Sequence, residues 1–62
     1  SEPAQGDLVF FGPQGHADRI THVGMMIDSR RFIHARGSYF VTVNSLSNAD
    51  YAPKYRFARR YV

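Results

Sequence analysis

Ile20-Thr21-His22-Val23-Gly24-Met25-Met26-Ile27-Asp28-Ser29-Arg30-Arg31-Phe32-Ile33-His34-Ala35 is the stretch on which the fold turns. Residues 20–27 and 31–35 are rich in β-branched, aromatic and other apolar side chains, and the polar triplet between them suits a hairpin, so they read as two antiparallel strands. Side chains alternate along a strand, which places Ile20, His22, Gly24 and Met26 on one face and gathers Phe32, His34 and Arg36 on one face of the next. A three-residue loop Asp28-Ser29-Arg30 pairs Ile27 with Arg31, Gly24 with His34 and His22 with Arg36. Both histidines then share a face as diagonal neighbours, about 7–8 Å apart, and Gly24 leaves the gap their rings need. A two-residue loop would put them on opposite faces, because a slip of one residue turns a strand over.

Working outward, residues 7–11 (DLVFF) form a short buried strand closed by the turn residues Gly12, Pro13, Gln14 and Gly15. Residues 39–44 (YFVTVN) form a fourth strand after the break Arg36-Gly37-Ser38. Residues 45–53, with Ser, Asn, Asp and Pro, suit a loop or a single helical turn. Residues 54–61 (KYRFARRY) fit a fifth strand or a short helix, and their aromatics favour the strand. Residues 1–6 read as an incoming loop. The expected unit is a small antiparallel sheet of five strands curled into a partial barrel.

The chain has 62 residues, no Cys and no Trp, with 44% hydrophobic and 15% aromatic residues. That is one small domain or a piece of one, with too much apolar content for a disordered segment. A chain this short buries only about 60% of the surface its unfolded form exposes, and disulfides cannot supplement the core. The longest apolar runs are far shorter than a membrane span requires, so a soluble chain is expected, and the first residues carry no basic or apolar signal-type stretch, which leaves the compartment open on composition alone. The net charge of +3 is concentrated in Lys54, Arg56, Arg59 and Arg60 near the end. Such a patch suits an anionic polymer or a solvated strand face, and the second reading is preferred.

A histidine pair on a sheet face has three readings. One imidazole can act as a general base while the other orients it and sets its tautomer. The two can ligate a metal, but cysteine is missing and only Asp18 and Asp28 lie near in sequence, so no metal site is assigned. They can also be structural, satisfied by backbone groups, and spacing alone favours this reading. His16, in a Gly-rich loop, reads as exposed. The serines (Ser1, Ser29, Ser38, Ser45, Ser47) occupy terminal or loop segments without a nucleophile-elbow pattern. By itself the chain holds a base and its support without the group they would activate.

Three runs in succession, Gly6-Asp7-Leu8-Val9-Phe10-Phe11-Gly12, then Ile20 to Ile27, then Arg31-Phe32-Ile33-His34-Ala35, resemble the NlpC-type cysteine peptidases that cleave bacterial cell-wall peptides. Each run is weakly specific, and their order and spacing together carry the resemblance over nearly the whole chain. It implies that residues 1–62 are the C-terminal sheet half of one α+β, papain-like catalytic domain, with residues 1–6 a cut loop. This chain would be its mostly antiparallel β part, about five strands in a half-barrel sheet. The resemblance further implies that His22 is the catalytic histidine and His34 the polar residue that orients it. The nucleophilic cysteine of the family precedes the matched region on a helix, so a companion polypeptide or N-terminal half is the expected partner. The implied substrate is the peptide stem of peptidoglycan, at the bond between D-γ-glutamyl and the following diamino acid. No cofactor is implied, and the implied location is the bacterial envelope, periplasmic or secreted.

Two alternatives stay open: a cell-wall binder of the same fold without catalysis, and a small basic module holding nucleic acid through Tyr39, Phe40, Tyr55 and Phe57 with Arg56, Arg59 and Arg60. A charge of +3 is modest for the latter, so nucleic acid is the disfavoured partner.

Overall fold

The computed structural model describes residues 3–16, 18–37 and 40–60. Strands β1 (Leu8–Phe11), β2 (His22–Met26), β3 (Arg31–Arg36) and β4 (Phe40–Ser45) are followed by a 3-10 turn (Ala52–Lys54) and β5 (Tyr55–Arg59). All five expected strands form. Tyr39 and Tyr61, at the ends of two of them, lie outside the described residues, as do Ser1 and Glu2 of the incoming loop and Ser38. The second strand is shorter than residues 20–27, although Thr21 N–H still donates to the Phe11 carbonyl and Ile27 N–H to the Arg31 carbonyl.

The sheet is antiparallel and open, in the order β4-β3-β2-β1-β5. Four strands follow one another as neighbours, and then the chain returns from the β4 edge to the far side of β1. That return, residues 46–54, sets which face is covered. Leu46, Tyr51 and Tyr55 pack onto Val9, Phe11, Met26 and Phe32, which form the buried core on the inner face. Asn48 shapes the return: its side-chain Oδ1 accepts from Asp50 N–H, and its carbonyl accepts from Tyr51 and Ala52.

A register shift between Phe10 and Phe11 marks a bulge in the β1–β5 ladder, with Phe10 opposite Phe57 and Phe11 opposite Tyr55. The extra residue is Arg56, and bulges commonly re-aim a side chain. Its guanidinium donates to the Pro13 and Lys54 carbonyls, tying the loop after β1 to the last strand. In that loop, a Cβ on Gly12 would overlap the Arg19 carbonyl, so the close approach of the two backbones depends on glycine. Asp7, just before β1 and nearly buried, accepts from Ala4 N–H and pairs with Arg60 at 2.9 Å. Two of the four terminal basic residues are therefore engaged within the fold. A third, Arg59, lies over the Phe57 ring.

Candidate active site

The three-residue turn is held by one carboxylate. Asp28 Oδ1 accepts from the backbone N–H of Arg30 (2.8 Å) and Arg31 (2.7 Å), while Oδ2 pairs with the Arg31 guanidinium at 2.9 Å. Satisfying those donors stabilises this loop length over a shorter one, and loop length sets register. The observed pairs Met25 with Ile33 and Met26 with Phe32 are those of the expected register. His22 and His34 therefore share the inner face.

Their rings meet edge to face at 4.8 Å, with His22 Nε2 and His34 Nδ1 only 2.7 Å apart. Two nitrogens facing one another at that distance are joined by a hydrogen bond and are not aimed at a common ion. His34 is 4% exposed. Its other nitrogen, Nε2, donates to Oδ1 of Asn44 on β4 at 2.7 Å. Asn44 sits opposite Phe32 and diagonal to His34, so strand pairing brings it to the site. Gly24 makes the crossing possible: a Cβ there would stand 2.6 Å from the Phe32 ring and 3.3 Å from His34 Cβ. The gap holds the Phe32 ring as well as the histidine.

Tyr51 closes the cluster from above. It stacks on His22 at 6.2 Å and meets His34 edge-on at 5.0 Å, while also contacting Phe11 and Phe32. Neither Asn44 nor Tyr51 was singled out from the sequence. The polar end of an otherwise apolar alternation in residues 40–44 was the available signal for Asn44, whereas Tyr51 arrives through the return loop and carries no periodic mark.

A groove of about 560 Å³ opens beside the cluster, lined by Phe11, Thr21, His22, Arg36, Tyr51 and Lys54 among others. His22 reaches it and His34 lies behind, so the site has an outer and an inner histidine. Burial, reinforced by the neighbouring His34 and Lys54, holds the His22 imidazole below its ordinary value. The lowering favours the neutral form of the His22 ring. His16 is exposed in the loop after β1. The Ser45 and Ser47 hydroxyls bond to one another at the end of β4.

A sequence model of the NlpC/P60 family matches residues 1–60. The chain belongs to the NlpC/P60 family. Among its relatives, the "Probable peptidoglycan endopeptidase LytE" of Bacillus subtilis (strain 168) is 38% identical over 61 residues. The match takes in 98% of this chain and 17% of that protein. The "Probable endopeptidase NlpC homolog" of Haemophilus influenzae (strain ATCC 51907 / DSM 11121 / KW20 / Rd) is 38% identical over 60 residues, covering 97% of this chain and 30% of its own length. This NlpC/P60 chain thus spans less than a third of either relative, and the three motif runs fall inside the matched region.

Proposed function

We propose that this chain is the sheet-forming part of an α+β, papain-like cysteine peptidase that hydrolyses the stem peptides of bacterial peptidoglycan in the cell envelope. The observation that carries the reading is an outer, groove-lining histidine whose inner nitrogen is bonded to a second, buried histidine. Membership of the NlpC/P60 family and the endopeptidase names of two relatives support the substrate class. The bond is of the D-γ-glutamyl-diamino acid type.

The chain has no cysteine, so the thiol comes from a companion segment. His22 Nδ1 takes the thiol proton, and the thiolate attacks the scissile carbonyl carbon. As the C–N bond breaks, the same nitrogen returns the proton to the leaving amine. Water then cleaves the thioester: His22 accepts a proton from it, hydroxide adds to the carbonyl, and the thiol and a carboxylic acid are released. His34 keeps the ring of His22 aligned throughout.

The outer face of the sheet supports a companion segment independently, because Val23, Met25, Val41, Val43 and Phe57 are exposed together there. It lies opposite the histidines. The segment that covers it and the helix end that delivers the thiol are thus separate requirements, and the thiol must enter by the groove. In the whole protein, His22→Ala should abolish release of the stem-peptide product, and His34→Ala should slow it less. Undiminished turnover in His22→Ala would remove this histidine from the reaction.

A further inference from the structure

His34 is the only link between Asn44 and the outer histidine among these three, and both its nitrogens are engaged at 2.7 Å. A neutral imidazole has one N–H and one lone pair. The amide oxygen of Asn44 has no hydrogen to offer, so His34 places its proton on Nε2 and leaves Nδ1 as an acceptor. His22 must then donate from Nε2, which leaves the lone pair on its Nδ1. The arrangement also accommodates protonated His22, since an imidazolium donates from both nitrogens and His34 Nδ1 still accepts. With the amide reversed, His34 Nδ1–H would point at His22 Nε2. The remaining proton of His22 would sit on Nδ1, and protonation would force two N–H groups together.

We infer that Asn44 is a positioning residue that, acting through buried His34, determines which nitrogen of His22 is basic. The inference rests on the peptidase reading for its consequence, although the proton arrangement can be observed without any reaction. The class of group required at residue 44 is a neutral or anionic oxygen acceptor, held on β4 within reach of His34 Nε2.

The test is the 15N imidazole spectrum of the whole protein at alkaline pH, alongside Asn44→Leu and Asn44→Asp. The unaltered chain should show protonated Nε2 and unprotonated Nδ1 in both His22 and His34. Asn44→Leu should shift His34 toward a mixture of tautomers, whereas Asn44→Asp, which keeps the oxygen, should retain the pattern. In the whole protein, Asn44→Leu should lower kcat about tenfold, the scale of one net hydrogen bond, with KM unchanged. Asn44→Asp should stay within about threefold.

A protonated Nδ1 on His34 in the unaltered chain would overturn the inference whether or not the leucine variant folds, and so would an unchanged tautomer pattern in a folded Asn44→Leu. The two readings fail separately. Loss of hydrolysis in His22→Ala combined with an Nδ1–H tautomer on His34 would sink this inference alone. Full hydrolysis in His22→Ala with the expected tautomers would sink only the peptidase reading.

Discussion

The two faces of the sheet are built from the same strands and similar residues, yet most of their apolar side chains end up in opposite conditions, with Phe40 at the start of β4 the exception on the inner side. On the inner face Val9, Phe11, Met26 and Phe32 are all but inaccessible, and His34 has both nitrogens bonded. On the outer face Val23 and Met25 are each 47% exposed and Val41 70%. Strand β2 contains both fates in alternation: Val23 and Met25 face out, while Gly24 and Met26 are buried. Hydrophobicity does not separate them. The return from β4 to β5 crosses the inner face only, bringing Leu46 and Tyr51 down on that side.

That contrast is breakable by substitution, and the largest effect is expected at Phe32→Ala. Deleting a fully buried ring typically costs about 3–5 kcal/mol, enough to leave a 62-residue chain largely unfolded in a urea titration. A folded variant with an unchanged midpoint would mean the inner face is not the core. Gly24→Ala follows, at about 1–3 kcal/mol for overpacking, since its Cβ must displace the Phe32 ring and crowd His34. Its His22 and His34 imidazole resonances should move together, and unmoved resonances would show that the sheet absorbs the methyl elsewhere.

Smaller effects should appear with pH. Because His22 is held below 6.5, the unfolded chain takes up a proton there that the native chain refuses. Stability should fall as pH drops through about 6.5 and level off below the native value, and His22→Gln should remove that part of the slope. Asp7 contributes at lower pH: hydrogen bonds from Arg60 and then Ala4 hold its carboxyl below 3.8. Its stabilisation is present above that value and lost as pH falls through the native one, a loss absent in Asp7→Asn. The smallest change is expected on the outer face, where Val41→Thr should alter stability by no more than about 0.5 kcal/mol. A larger loss would show that this face is already packed within the chain.

The β2–β3 hairpin was legible because its cues are local. The triplet Asp28-Ser29-Arg30 has a length, Asp28 has a carboxylate suited to its own turn, and alternation carries the register to His22 and His34. The partners of His34 were less legible. Asn44 reaches it only through the pairing of β3 with β4, whose turn includes residues that alternation does not align. Arg56 reads as one more charge in a basic run, and the bulge that turns it toward Pro13 exists only once β5 has paired with β1. Arg60 likewise finds Asp7 53 residues away.

From the sequence alone came the five strands, the hairpin register, the shared face of the histidines and the resemblance to the NlpC family. Those depend on neighbours in the chain, where side-chain alternation and turn chemistry act over a few residues. The tertiary structure alone decided which face of the sheet is filled, which histidine meets the groove and which residue the buried one binds. Those outcomes depend on where the chain travels after β4, and contacts between distant strands leave no periodic trace in the order of residues.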